Sequence, residues 1–263
     1  MQKENRMLLD EALYEEPIKN TFRLSWEFIV LNRKFTLTVM SLLLLLNIMT
    51  SFLGLLAMLF SGVFSMVIQI YVAKLIYNSK DINTFIEESK NAKVESVVSE
   101  NILVATGGYL GEIVLMFATL LLFSMFVQTL GFDFEQVKKL EDLQALAEVV
   151  ALPLLTLLLL ISYIHPLVQA KISMAKDFKE GFSATFSIFS VSLWSSSFTR
   201  VYLKYIVLLL SLVFLAALFL GILITIPFVN ILANFMIIIG MYIYMVVMSI
   251  AAMMGKRMVE QSS

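Results

Sequence analysis

Two ionisable residues stand inside long apolar runs, and both are of types that exchange protons. Glu112 closes the stretch Gly107-Gly108-Tyr109-Leu110-Gly111-Glu112, and His165, the single histidine, precedes Pro166. A charged side chain within a membrane span is costly unless it is paired or faces the bundle interior. One chemistry for the two is a proton or cation path. The other reading is structural: the glutamate is hydrogen-bonded between helices, and the histidine caps a turn loosened by the proline. One acid and one histidine make a thin relay, so the structural reading is favoured. Asn47, Gln69, Gln128, Asn230 and Asn234 complete the intramembrane polar set.

Other chemistries lack their parts. The chain has no cysteine and one histidine, which excludes disulfides, thiolate sites and multi-histidine centres. A metal site needs more ligands than remain. Ser195-Ser196-Ser197 has no base near it in sequence, and Met253-Met254 alone does not make a thioether path for metal. No catalytic residue, metal or cofactor is expected, and the chain reads as a non-enzyme.

The elements that must carry Glu112 and His165 follow from the apolar runs. Of 263 residues, 60% are hydrophobic, and the mean hydropathy is +0.89. A membrane-spanning helix needs roughly 20 apolar residues. The run Thr36–Tyr77 is about twice that length and reads as two spans turning between Ser51 and Gly62. Another double run, Val201–Met254, turns at Pro227 and Asn230, because proline lacks the helical donor and disfavours helix before it. The spans fall at about 36–56, 58–77, 103–130, 149–169, 201–226 and 228–254. They predict an all-α integral membrane protein of six transmembrane helices in three hairpins. Residues 1–35 are expected to form a cytoplasmic N-terminus with an amphipathic helix, 36–254 the membrane domain, and 255–263 a cytoplasmic tail.

Only Lys138 and Lys139, of 19 basic residues, lie between spans three and four. The other 17 fall in the N-terminus, the two long loops, the C-terminus or the span ends facing them. The positive-inside rule then places both termini in the cytoplasm. With net charge −1 and no basic arm, nucleic acid is not expected as a partner.

Two segments flank the membrane. In residues 18–30, Ile18, Phe22, Trp26 and Ile29 share one helical face. In residues 177–198, Phe178, Phe182, Phe186, Phe189 and Leu193 form a second stripe. Aromatic stripes beside a span suit a bilayer interface; the alternative is a helix packed on the protein's own loops. The two stripes match at a constant offset, and each precedes a double-length run, which suggests a weak parallel repeat. Between spans two and three, Ile82, Phe85, Ile86, Val94, Val97 and Val98 suggest a weaker amphipathic helix. Gly107 and Gly111 make a small-xxx-small face that lets another helix approach closely.

This order of pieces resembles the YciC-like group of six-span bacterial inner-membrane proteins. That group includes the membrane domain attached to some glycerophosphodiester phosphodiesterases. The likeness is carried by Phe22-Arg-Leu-Ser-Trp26, Phe178-Lys-Glu-Gly-Phe182 and Ile226-Pro-Phe-Val-Asn230. It covers most of the chain, rests on architecture, and brings no activity or catalytic residue to map. It implies a bacterial inner-membrane location.

Three functions remain: a scaffold or accessory component that organises partners or lipid, a transporter or channel using the Glu112 region, and an intramembrane enzyme. The first is favoured and the last is least supported. The bilayer is the expected partner, with a membrane protein or a second copy of the chain beside it. Glu112 should lie roughly 13 Å and His165 roughly 9 Å from the same membrane face, counted at the helical rise per residue.

Overall fold

Gly54 turns the first double-length apolar run. Its φ of 53° lies in the left-handed region that glycine adopts without strain. Helix α3 (Arg33–Leu53) ends before it and α4 (Leu55–Asn78) starts after it, and the two pack on each other. The structure is a computed structural model that describes residues 8–129, 140–225 and 232–262. Two helices precede this pair, α1 (Leu8–Glu15) and α2 (Pro17–Leu31), the second with Pro17 in its first turn, where a missing N–H costs nothing. After the pair come α5 (Ile82–Lys90), α6 (Val94–Thr129), α7 (Leu140–Ser173) and α8 (Phe178–Thr185). A 3₁₀ turn (Phe186–Phe189), α9 (Val191–Ser197), α10 (Arg200–Ile224) and α11 (Ala233–Ser262) complete the order, with no strand among the described residues.

Six of these helices, α3, α4, α6, α7 from Val150, α10 and α11, are long and apolar enough to cross a membrane. The chain is a multi-span helical membrane protein. Several helices outrun the apolar stretch that predicted them. α6 begins at Val94 instead of 103, and α7 runs to Ser173 with Pro153 and Pro166 inside it. Hydropathy marks only the part that tolerates lipid, whereas helical hydrogen bonding continues into polar sequence. Val94, Val97 and Val98 therefore belong to α6 and not to α5. The turn at Pro227 and Asn230, the pair Lys138 and Lys139, and the side chain of Asn234 lie outside what is described.

Short polar side chains start the small helices. Asp81 accepts from the Thr84 N–H at 2.8 Å and from its hydroxyl at 3.0 Å, capping α5. These bonds, the backbone N–H first, hold the Asp81 carboxyl below its ordinary range. Asp177 accepts from the Glu180 N–H at 2.8 Å, and Glu180 reaches back to the Lys176 N–H at 2.9 Å, a reciprocal cap for α8. Ser190 and Thr199 cap α9 and α10.

The buried core lies towards one end of the bundle. It takes Phe35–Leu43 of α3, Met66–Ile76 of α4, Val97–Gly111 of α6, Ile164–Ser173 of α7, Tyr202–Leu209 of α10 and Met245–Met258 of α11. At the other end the helices expose apolar side chains in runs, among them Phe52 by 82%, Leu55 by 73% and Leu152 by 72%. Water would disfavour that surface, and lipid does not. α11 is the central helix, with 56% of its span buried against 11% for α6 and α10, and it touches α1, α2, α3, α4, α7 and α10.

Tyrosines tie the short helices α2 and α9 to this core. The Thr21 hydroxyl donates to the Pro17 carbonyl at 2.7 Å, so its 2.8 Å contact with Tyr205 is donated by the phenol. Tyr242 meets Thr36 at 3.1 Å in the same way. Tyr202 donates to the Tyr163 carbonyl, and Tyr163 to the Ser197 carbonyl, each at 2.7 Å.

Candidate functional site

Glu112 lies on α6 and His165 on α7, and their side chains meet. His165 Nε2 is 3.4 Å from Glu112 Oε1. That is longer than the roughly 2.7–2.9 Å of a tight charge-assisted bond. The histidine side chain is 39% exposed and the glutamate 30%, so the pair borders the bundle surface and is not sealed in the core. The contact joins two spans, and which group donates depends on the imidazole tautomer. Pro166 does not break α7 at this point.

The glycines next to Glu112 seat a different neighbour from the one expected. A Cβ on Gly107 would lie 2.1 Å from the Phe178 carbonyl oxygen, and one on Gly111 would lie 2.6 Å from Thr185 Oγ1 and 2.9 Å from the Phe182 carbonyl oxygen. Their partner is α8, the short helix before α9, and not another apolar span. Gly181 of α8 answers from the other side, its Cβ position being 2.6 Å from the Val104 carbonyl oxygen. The Thr185 hydroxyl then bonds the Gly108 carbonyl at 3.2 Å. Glycine on both helices brings the backbones together at the level of Glu112. Gly62 of α4 leaves room for the Tyr109 ring, one turn below Glu112 on α6.

The remaining predicted polar residues do not join this pair. Asn47 and Gln128 are exposed, Gln69 is half-buried, and none of the three makes a side-chain hydrogen bond among the described residues. Of the aromatic stripes, Trp26 is 64% and Phe189 67% exposed, Phe22 and Phe178 are also exposed, and Phe182 and Phe186 are half-buried. The stripe over 177–198 is not one helix. It breaks at Phe186–Phe189 because Ser190 caps a new helix and the Trp194 indole donates to the Ile188 carbonyl at 2.7 Å. α2, by contrast, is continuous.

Three polar features had no reading in the sequence. Lys74 donates to Asn101 Oδ1 at 2.9 Å, although a lysine inside an apolar run was a usable signal. Asp10 of α1 receives two bonds from Arg257 of α11, at 2.6 and 2.9 Å. Gln169, 2% exposed, has neither its amide nitrogen nor its oxygen paired, and Ser173 Oγ one turn on is also buried and unpaired. Burying such groups unpaired costs about 1–3 kcal/mol each. Among the described residues no group of three or more potential ligands could hold a metal ion. The chain matches no known protein-family model, no curated protein and no solved structure.

Proposed function

We propose that this is a non-enzymatic component of a bacterial inner membrane, with both termini in the cytoplasm, that organises a partner or lipid at that face. One observation carries the reading. The packed core and the tyrosine bonds to α2 and α9 lie at the end of the bundle where α1 meets α11, while the opposite halves of the spans leave many large apolar side chains exposed. Such a platform presents exposed aromatics of α2 and α8 at that end, Phe22 and Trp26 on α2 and Phe178 on α8, with α8 seated on α6. The resemblance to the YciC-like group belongs to the same reading.

Orientation is tested by labelling. Single cysteines replacing Lys138 and Lys179 should react with a membrane-impermeant reagent from opposite faces. Same-face reaction would overturn the six-span arrangement.

A second reading has the Glu112–His165 contact in its favour, a proton step within a transporter or channel. In proteoliposomes bearing a pH gradient, the scaffold reading predicts no proton flux above empty vesicles, and Glu112→Gln changes nothing. The transporter reading predicts flux that Glu112→Gln lowers by at least tenfold, the order expected for loss of a positioned acid or base. Flux in the parent protein that the variant abolishes would replace the first reading with the second.

A further inference from the structure

Four cations from two distant segments line one cavity at the start of the first span. Arg33 and Lys34 open α3, Lys90 closes α5, and Lys93 immediately precedes α6. The cavity holds about 690 Å³, and no carboxylate lines it. None of the four makes an ion pair among the described residues. The other large basic cavity differs, because Glu16 lines it and pairs with Lys19 at 2.6 Å.

Four like charges around one space repel unless an anion joins them. The first N–H groups of α3 and α6 have no partner within their own helices, and both helices begin at this cavity. Val30 and Leu31 supply a half-exposed apolar wall beside the cations. An anion with an apolar body fits that combination better than a free ion does. Basic pockets at the cytoplasmic ends of spans are suited to anionic lipid headgroups.

We propose that Arg33, Lys34, Lys90 and Lys93 form a binding site for a phosphate-bearing anion, with an anionic phospholipid headgroup as the ligand class. The phosphate sits among the four side chains, and the glycerol and acyl part lies along Val30 and Leu31 towards the bilayer. This rests on the membrane placement of α3 and is independent of whether the protein scaffolds or transports. Occupancy would join the α2–α3 corner to the α5–α6 corner, which no ion pair does now.

The test uses the full chain purified in a nonionic detergent, titrated with short-chain phosphatidylglycerol, short-chain phosphatidylcholine and inorganic phosphate. Binding is read by native mass spectrometry and by the shift in melting temperature. Phosphatidylglycerol should bind and phosphatidylcholine should not. Lys90→Gln with Lys93→Gln should weaken phosphatidylglycerol about thirtyfold, taking each basic residue at its usual worth near an anionic headgroup. Lys90→Arg with Lys93→Arg should keep it. Lys19→Gln with Arg200→Gln removes the same charge elsewhere and should change binding less than threefold. Size-exclusion profiles of the variants, all changed at exposed positions, check the fold. Inorganic phosphate binding with the same dependence, without phosphatidylglycerol, would keep the anion site and overturn the lipid assignment. Equal losses in the two neutralised pairs would show diffuse attraction and overturn the site, as would no loss in either. Proton flux plays no part in these readouts, so the function proposed above can fail separately.

Discussion

Gly107→Ala is expected to lower the melting temperature of the detergent-solubilised protein by about 5–10 °C, corresponding to about 2–3 kcal/mol of overpacking. The added methyl would stand 2.1 Å from the Phe178 carbonyl oxygen. That atom is backbone, so no rotamer change relieves the clash, and α8 has to move. Helix propensity alone argues the other way, since alanine is favoured over glycine by about 1 kcal/mol inside a helix. Gly221→Ala supplies the control, because nothing lies within 4 Å of its Cβ position, and it should be neutral or stabilising. Gly181→Ala should behave like Gly107→Ala, its methyl meeting the Val104 carbonyl oxygen at 2.6 Å. The double variant should lose less than the sum, since one interface is opened once. A Gly107→Ala protein as stable as the parent would show that α8 does not seat on α6.

Asp10→Ala is expected to release α1. Arg257 Nε and Nη2 reach the two carboxylate oxygens of Asp10, and Gln261 Nε2 donates to one of them at 2.9 Å. Both partners are mostly covered, Asp10 16% and Arg257 27% exposed, so solvent screens the pair less than it would a surface ion pair. Removing the carboxylate leaves the guanidinium without its bidentate partner and should cost about 2–3 kcal/mol. Leu8, Leu9 and Ala12 of α1 are buried, so hydrogen exchange over residues 8–15 should accelerate while that of α4 stays unchanged. Unchanged exchange in α1 would show that apolar packing alone holds it. The contact also bears on topology. An N-terminal helix that touches the last helix near its end requires an even number of crossings between them, which six apolar helices satisfy.

The sequence determined what depends on composition along one dimension. Long apolar runs sufficient to cross a membrane imply six helices, and six of that kind stand among the described residues. Counting helical rise from the ends of the two apolar runs, near Leu103 and Lys171, gives Glu112 and His165 similar depths, and their side chains lie 3.4 Å apart. Orientation, the identity of the membrane and any activity rest on the proposals above.

The tertiary structure decided what depends on which face meets which neighbour. Gly107 and Gly111 advertise a close approach in any helix, but the sequence cannot say that α8 takes it, because the complementary Gly181 is read only once the two backbones are side by side. The aromatic stripe of 177–198 has helical spacing throughout, yet Ser190 starts a new helix and the Trp194 indole fixes the bend, local hydrogen bonds that compete with an uninterrupted helix. Thr21 with Tyr205, and Asp10 with Arg257, are far apart in sequence and ordinary in type. In lipid, apolar burial does not select between faces of an apolar helix, so packing shape and the few polar contacts choose the arrangement. Those contacts form only in three dimensions.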